Sequence, residues 1–399
     1  MSNSNEYDKR GFYQVGDKKF YRKIDAILAQ QQTGIHLHWN FNEDVFSAYD
    51  WTKTVDISLP ELYRIRAQQL RDRYDYLVLC FSGGIDSYTI LRAFYDNKIF
   101  IDEIMIFGPF KGTESTMNNS KEAWNLRSEV DLQALPILKE LNLDSRTKIN
   151  LYDYTDDLLK YYDNSNWITD FNPGVRYNSS MPKNILIHNA TREVLQQYDR
   201  GHRVGFLHGI DKPRKYDRGH RVGFLHGIDK PRISYQNGNY YLYFLDIQLS
   251  ISVGDFNQHN DHYWENDELF YWSPDLPELL AKQCQVICAW FDQRPVMRER
   301  LDNSKLGTLV PEEYYSIINK LVYPYHDHIK FSVKKPYSPM FQENEYWFRD
   351  VNIKAYSNWL NGLSDLSKQV PTNWCNNGDF NKGLIGCYSK FYQLTKSKQ

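Results

Sequence analysis

The chain has 399 residues, of which 41% are hydrophobic and 25% are charged, an ordinary globular balance that suffices for one large or two medium domains. Its 48 Lys and Arg residues and 50 Asp and Glu residues give a net charge of −2, which excludes a global positive field for nucleic acid but not a local basic patch. Five cysteines without disulfide-like spacing and the lack of a long apolar run predict a cytoplasmic protein with reduced thiols and no membrane span.

The first segment mixes short aromatic, strand-like runs (GFYQVG, KKFYRK and HLHWNFN) with one short helix over Lys23–Gln31. We interpret it as a small N-terminal extension or cap. The expected division of the whole chain is residues 1–57 for this extension, 58–255 for a central α/β domain and 256–399 for a mainly helical C-terminal region.

A second helix follows this segment. Ser58–Glu61 (SLPE) has the pattern of a capping box and predicts a helix that runs to about Arg73, with Leu62, Ala67 and Leu70 on its inward face. Its arginines are expected to point largely outward: Arg64, Arg66, Arg71 and Arg73. We interpret them as a solvated face, and a track for phosphates or RNA is the alternative.

The most informative pattern comes next. Tyr74–Phe81 (YDYLVLCF) has the composition of a buried parallel strand, and Ser82–Ser87 (SGGIDS) follows it directly. Paired glycines allow a tight bend and a close approach to a ligand, and the hydroxyls and following amides can point at one anion. Tyr88–Tyr95 is amphipathic with helical spacing, so the loop lies at a helix N-terminus that favours negative charge. The pattern predicts a phosphate cradle.

Further strands extend this unit. Ile101–Phe107 and Thr147–Tyr154 alternate with helical stretches, which predicts a doubly wound parallel sheet of the α/β class. Ligands in such sheets bind beyond the carboxyl ends of the strands, where the Ser82 loop is expected.

Strand, SGGIDS loop and helix together resemble the PP-loop of the ATP pyrophosphatase superfamily, and in particular the synthetase domain of asparagine synthetase. A Walker A loop is disfavoured because its GK(S/T) tail and four-residue spacer are missing. The resemblance implies cleavage of ATP between the α- and β-phosphates with Mg²⁺, and transfer of AMP to a substrate oxygen. It assigns Asp86 to magnesium or to orienting the loop. The residues that it implies for nucleotide binding are Ser82, Gly83, Gly84, Ile85, Ser87, Phe107 and Gly108, the last two beside the adenine or ribose.

A tandem duplication lies further along the chain. Tyr198–Arg214 (YDRGHRVGFLHGIDKPR) is repeated without change as Tyr216–Arg232, which starts 18 residues later. Two copies do not make a structural repeat array, so a recent duplication or a defect in the sequence itself explains the identity better. Each copy predicts a buried strand followed by a turn.

The turn after each strand carries an Asp-Lys pair, with charges that suit Mg²⁺ and phosphate respectively. The resemblance implies that one pair closes the site as a catalytic group, with the Asp also holding magnesium; an ordinary β-turn is the alternative. The position of the insertion favours the second copy, Asp229 and Lys230. Asp211 and Lys212 of the first copy would then lie in an extruded loop or an extra edge strand.

The last third is expected to be mainly helical. After an Asn237-Gly238 hairpin, Asp275–Phe291 forms an amphipathic helix whose apolar stripe includes Cys284 and Cys288, so these are core cysteines rather than zinc ligands. Helices are also expected over 311–321 and 346–360, and a disordered basic tail over 390–398. Two histidine clusters, at 259–262 and 326–328, are weak metal candidates.

The function predicted from these patterns is that of an adenylating ligase with ATP and Mg²⁺ as cofactors and a small-molecule acceptor. No cysteine precedes Cys80, so the glutaminase nucleophile of asparagine synthetases is missing, and ammonia or another nucleophile would come free or from a separate protein. Two alternatives remain open: a tRNA or DNA base-modifying enzyme with the same chemistry, and a non-catalytic nucleotide-binding regulator.

Overall fold

The structure is a computed structural model and describes residues 11–20, 23–117, 130–163, 204–208, 223–226, 231–246, 267–302, 311–327, 331, 347–380 and 384–395. The N-terminal strands and helix expected from the sequence are confirmed. They are β1 (Phe12–Val15), β2 (Lys18–Phe20), α1 (Lys23–Thr33), β3 (Leu37–Asn40) and a short α2 (Glu43–Phe46). The strands form an antiparallel sheet in the order β2-β1-β3.

Helix α3 (Leu59–Arg73) begins where the capping pattern predicts. Ser58 is its N-cap, and the Ser58 Oγ accepts a hydrogen bond from the backbone N–H of Glu61 at 3.4 Å. The carboxylate of Glu61 does not complete the capping box, because it forms a two-pronged ion pair with Arg64 one turn further on.

The α3 arginines were expected to point largely outward, but Arg66 points into the core and Arg71 is largely buried. The Arg66 side chain is fully buried, and its Nη1 lies 3.8 Å from Oδ2 of Asp275. Arg71 is largely buried and donates to Asp102 Oδ2 at 2.7 Å. Leu62, Ala67 and Leu70 are buried as expected.

The centre of the fold is a parallel sheet flanked by helices, which makes the protein a mixed α/β structure. Strand β4 pairs in parallel with β5, and β5 with β6. The elements of this unit are β4 (Tyr76–Cys80), α4 (Ile85–Tyr95), β5 (Glu103–Gly108), α5 (Phe110–Met117), a π-helical turn (Val130–Ala134), α6 (Leu135–Glu140), β6 (Lys148–Asp153) and α7 (Thr155–Asp163).

Six further strands complete the described sheets: β7 (Val204–His208), β8 (Gly223–His226), β9 (Arg232–Gln236), β10 (Asn239–Tyr243), β11 (Asp267–Leu269) and β12 (Tyr392–Gln393). Strands β7, β8 and β11 join the central sheet in parallel, in the order β11-β8-β7-β4-β5-β6. The hairpin β9-β10 is confirmed and pairs with β12 in a small antiparallel sheet. The tail expected to be disordered therefore contains a paired strand.

The two copies of the duplicated segment form adjacent strands of the central sheet. The first copy gives β7, which pairs with β4 on one side and with β8, from the second copy, on the other. The expectation of an extra edge strand is therefore wrong for the first copy, whereas Asp211 and Lys212 themselves lie outside the described residues. The two identical runs pair in parallel with like residues opposite each other, as in Phe206 with Phe224, and neither is excluded from the sheet.

The C-terminal region contains the expected helices and two 3₁₀ turns: α8 (Pro277–Asp292), α9 (Pro295–Glu299), α10 (Pro311–Val322), α11 (Trp347–Val351), α12 (Ile353–Ser367), Thr372–Trp374 and Asn376–Gly378. Cys284 and Cys288 are free and lie in the core, as predicted. No helix in the described ranges is both long enough and apolar enough to cross a membrane.

Candidate functional site

The Ser82 loop connects β4 to α4 at the carboxyl edge of the sheet. The backbone N–H of Phe81 donates to Met105 O at 2.8 Å, so the pairing with β5 extends one residue past β4 before the chain turns. Gly83 makes the turn with φ of +80°, a left-handed conformation that costs a residue with a Cβ about 1–2 kcal/mol. Gly84 returns to extended backbone and caps the helix, which starts at Ile85. The strand, loop and helix predicted from the sequence are confirmed.

The two serine hydroxyls of the loop contact each other. Ser82 Oγ accepts from the Gly84 N–H at 3.2 Å and lies 3.2 Å from Ser87 Oγ. The Ser87 hydroxyl donates to Gly84 O at 3.1 Å and is fully buried. Ser82 is half-buried. The geometry thus gives Ser87 the role of holding the loop in shape, and leaves Ser82 as the hydroxyl nearer to solvent.

The start of α4 has the electrostatics of an anion site. The first amides of a helix have no acceptor within the helix, and the helix dipole places partial positive charge at this end. The loop directs the backbone of Gly84 and Ile85 into this position. A phosphate at the loop would also meet the negative charge of Asp86, which stands in the first turn. A phosphate and this carboxylate are therefore compatible if a cation lies between them or if the carboxylate is turned away.

The Asp86 carboxylate is directed in part toward the protein interior. Its Oδ1 is shielded from solvent, and its charge acts on the buried Tyr63 phenol. Burial raises the pKa of Tyr63 well above its ordinary value, the hydrogen bond from Gln283 opposes the rise, and Asp86 adds to it. Gln283 donates to the Tyr63 oxygen at 3.0 Å, and Tyr63 donates to Val322 O at 2.6 Å. Between its two predicted roles, this surrounding fits Asp86 as a residue that orients the loop.

Tyr271 supports the same turn of α4 from a distant part of the chain. Its hydroxyl donates to the backbone carbonyl of Asp86 at 2.8 Å, and its ring meets the Tyr63 ring edge-on at 5.8 Å between centroids. Both rings are buried. Sequence reasoning missed these residues. Tyr63 could have been found because it follows Leu62 on the inward face of α3, whereas no local pattern indicates a contact that spans 185 residues.

Phe107 and Gly108 lie where the sequence predicts, at the carboxyl end of β5 beside the loop. Cys80 is level with Met105 in the sheet, so the strand β5 continues alongside the first residues of the loop. Phe107 is half-buried and stacks edge-on against Tyr152 at 5.9 Å. A Cβ on Gly108 would approach the Phe110 ring to 2.7 Å, so a larger residue there requires the Phe110 side chain to shift. A nucleotide-binding role for this pair stays a prediction.

The Asp-Lys pairs fall outside the described residues: Asp229 with Lys230 and Asp211 with Lys212. The strands before them are described. Cys80 is level with His208 at the end of β7, and His208 with His226 at the end of β8. The strand of the first copy therefore ends directly beside the Ser82 loop, and the strand of the second copy ends one strand further away.

Among the described residues there is no group of three or more His, Cys, Asp or Glu side chains that could hold a metal ion. Of the two histidine clusters, His259, His262 and His328 lie outside the described ranges. A single carboxylate such as Asp86 suffices for Mg²⁺ only when substrate phosphates supply other oxygens.

Comparison with known proteins assigns no family, since no family model, no curated protein and no solved structure matches this chain.

Proposed function

We propose that this protein is an ATP-dependent adenylating enzyme, which cleaves ATP to AMP and pyrophosphate and activates an acceptor oxygen for attack by an amine or another nucleophile. The observation that carries the proposal is the Ser82–Ser87 loop, which joins a parallel strand to a helix N-terminus through a left-handed Gly83. The Ser82 hydroxyl and the backbone amides at the start of α4 form a donor set suited to pyrophosphate.

The position of the loop in the sheet supports a ligand site. From β4 the chain proceeds to β5 and β6 on one side, then returns to β7 and β8 on the other. In a doubly wound sheet, ligands bind at the carboxyl edge where the strand order reverses. We assign the fold to this architecture. The loop after β4 stands at the reversal, between β5 and β7, where both flanking strand ends can contribute to binding.

Each loop residue has a proposed role. The Ser82 hydroxyl and the backbone amides of Gly83 and Ile85 would bind the pyrophosphate and stabilise the charge that it gains on leaving. The Gly84 amide, which donates to Ser82 Oγ in this structure, would join them only after that bond opens. Ser87 maintains the loop through its bond to Gly84 O. Asp86 would orient the loop or hold Mg²⁺, which when bound neutralises phosphate charge. From the duplicated segments, one Asp-Lys pair is the proposed partner of the site: Asp229 with Lys230, which the sequence favours, or Asp211 with Lys212, whose preceding strand β7 lies beside β4.

The nucleophile is not a cysteine of the described core. All five cysteines are free and buried. Burial raises the pKa of the Cys80 and Cys284 thiols well above the ordinary value, and that of Cys387 to about 12. Such thiols stay protonated near neutral pH and react slowly. This favours an amide ligase, with ammonia or an amine from solution or a separate protein, over a thiolating enzyme.

The alternative of a nucleic-acid substrate loses its main support, the arginines of α3. Arg64 pairs with Glu61, Arg71 with Asp102 and Arg73 with Asp275, and Arg66 is buried. A face whose cations are already paired attracts phosphates weakly. A retention assay with tRNA and duplex DNA across salt concentrations tests this point: we expect no salt-dependent retention, and binding that weakens steeply with salt would favour the base-modifying alternative.

The adenylation proposal is tested with ATP labelled in the α-phosphate, Mg²⁺ and the small-molecule fraction of a cell extract. We expect labelled AMP and an equal amount of pyrophosphate. Gly83→Ala forces a Cβ into the left-handed turn and should lower AMP formation about 100-fold, the scale of one lost preorganised anion donor. Gly34→Ala is the matched control, because Gly34 also has a left-handed φ, of +70°, but lies in a loop with open space around it.

The outcomes are distinct. AMP formation that falls in Gly83→Ala but not in Gly34→Ala supports the proposal. Release of ADP and inorganic phosphate instead of AMP contradicts α,β-cleavage. ATP binding in equilibrium dialysis without formation of AMP would favour the regulator alternative. Equal rates of AMP formation in both glycine variants would show that the loop takes no part in the reaction.

A further inference from the structure

A cavity of about 250 Å³ lies at the end of the central sheet opposite to the Ser82 loop. The carboxyl-terminal half of α4 forms one wall. The other walls are formed by the segment that leads into β5, from Lys98 to Ile104, and by the loop before β6, from Leu143 to Thr147. Helix α4 thus has the predicted phosphate site at its first turn and this cavity at its last. The two sites share no residue, so this inference is independent of the proposed adenylation.

The interior of the cavity is apolar. Leu91, Ile101 and Ile104 are buried, and they are joined by the partly buried Ile99 and Leu143. A cavity of roughly 150 Å³ with such a lining holds one benzene molecule. The cavity here therefore has room for a fused pair of aromatic rings or a short alkyl chain.

The walls of the cavity are held in place by backbone hydrogen bonds. Thr147 donates through Oγ1 to Ile101 O at 2.8 Å and through its N–H to Asp144 O at 2.9 Å. On the other side, Ile99 N–H donates to Phe94 O at 2.9 Å and Lys98 N–H to Tyr95 O at 3.1 Å, the two bonds of a Schellman motif. The cavity is therefore a preformed feature of this end of the sheet, which reduces the cost of binding.

Of the two cationic residues that line the cavity, Arg146 is in an ion pair and Lys98 is not, as far as the described residues show. Arg146 and Asp144 neutralise each other through bonds of 2.7 and 3.0 Å, and Arg146 also stacks over the Phe100 ring at 4.4 Å. This pairing lowers the pKa of Asp144 to about 2. Lys98 is exposed and makes no ion pair within the described residues. It occupies the left-handed position of the motif with φ of +57°, where glycine is the usual residue.

We propose that this cavity binds a small apolar molecule that carries a single carboxylate, with the apolar body between α4 and β5 and the carboxylate at the Lys98 ammonium. The apolar lining selects the body, and the unpaired rim cation selects one negative charge. The neutral Arg146–Asp144 pair closes the other side of the rim and does not repel the carboxylate.

The test uses 2-naphthoate as the probe and 2-naphthamide as its uncharged analogue, with isothermal titration calorimetry on the full chain. We expect saturable binding of one naphthoate per chain, and about fivefold weaker binding of the amide, the scale of one exposed ionic contact. Lys98→Gln should remove the preference for the carboxylate. Lys18→Gln, at an exposed lysine of β2, is the matched control and should keep it.

A second variant tests the location. Leu143→Trp places a larger side chain in the cavity and should abolish binding of both probes, whereas Leu360→Trp, at an exposed position of α12, should not. Methyl NMR of the wild type makes the test independent of how Leu143→Trp folds: naphthoate should shift the methyl signals of Ile99, Ile101 and Ile104. Absence of saturable binding, or shifts confined to other methyl groups, overturns the proposal; equal affinity for acid and amide overturns the role of Lys98.

Discussion

Arg66 is a charged residue that lies in the core of the protein. Its guanidinium is fully buried in α3, where burial lowers its pKa to about 10. The helix has a period near 3.6 residues, and Arg66 stands four residues after Leu62 and four before Leu70, both inward. The spacing thus placed it on the buried face, while its charge suggested the surface. Spacing was the better guide because the position on a helix is fixed by geometry, and a long side chain can bury its stem along apolar neighbours.

At this scale we predict that Arg66→Ala destabilises the protein by about 2–4 kcal/mol, since it empties a large buried volume. Arg66→Met refills most of that volume without a buried charge and should cost less than about 1.5 kcal/mol. Urea unfolding followed by circular dichroism measures both values.

Arg64→Ala is the matched control on the same helix. The Arg64 side chain is 41% exposed, and its one ion-pair partner among the described residues is Glu61, so we expect a much smaller loss of the free energy of unfolding than for Arg66→Ala. Equal losses for Arg64→Ala and Arg66→Ala would contradict the buried position of Arg66.

At the scale of elements, the duplicated strands show that local pattern defines a strand but not its place. Both copies predict a strand of the same length and composition, and both form one. Which of them lies beside β4 depends on the whole sheet: β7 pairs with β4, and β8 lies between β7 and β11. Identical segments have identical local preferences, so only pairing with distant strands distinguishes their positions.

We predict that deletion of residues 198–215, which leaves one copy, gives a folded protein with a five-stranded central sheet. The remaining strand carries the residues that pair with β4 in the first copy and with β11 in the second, so it can satisfy both neighbours. Cooperative urea unfolding and an unchanged far-ultraviolet circular dichroism shape per residue would agree with this expectation. Loss of the cooperative transition would show that both strands are needed.

For the whole molecule, a buried ion pair joins segments that are far apart in the chain. Lys23 Nζ donates to Asp246 Oδ2 at 2.7 Å, and both side chains are at most 2% exposed. The Tyr13 hydroxyl donates to the same oxygen at 2.9 Å, and the Cys387 N–H donates to Oδ1 at 2.7 Å. The N-terminal sheet, the β9-β10 hairpin and the end of the chain therefore meet at one carboxylate. The predicted boundaries at 57 and 255 stay a prediction, and this network crosses both of them.

We predict that Asp246→Ala destabilises the protein by about 3–5 kcal/mol, because it leaves the Lys23 charge buried without its partner. The double variant Lys23→Met with Asp246→Leu should lose less than Asp246→Ala alone, since no buried charge remains. Urea unfolding with both variants forms the comparison. Asp163→Ala breaks the exposed pair with Lys354 and should cost less than about 1 kcal/mol; a similar loss for Asp246→Ala would contradict the network.

The local elements of this protein can be predicted from short stretches of its chain. The capped start of α3, the run of β4, the SGGIDS turn, the amphipathic α4 and the hairpin are all visible because each depends on residues within one or two turns of chain. The parallel α/β arrangement also followed, since strands alternated with helices. The apolar stripe of α8 likewise predicted the core positions of Cys284 and Cys288.

Strand order, the contacts around the Ser82 loop and the burial of charged residues depend on distant parts of the chain. These features become visible only in the folded structure. The order β7-β4-β5 places the Ser82 loop where the strand order reverses, and Tyr271 reaches the Asp86 carbonyl across 185 residues. Burial of Arg66 and of the Lys23–Asp246 pair likewise requires partners that no short window of sequence contains. The spacing of apolar residues shows which face of a helix or strand is buried. The partner of that face is known only from the packing of the whole chain.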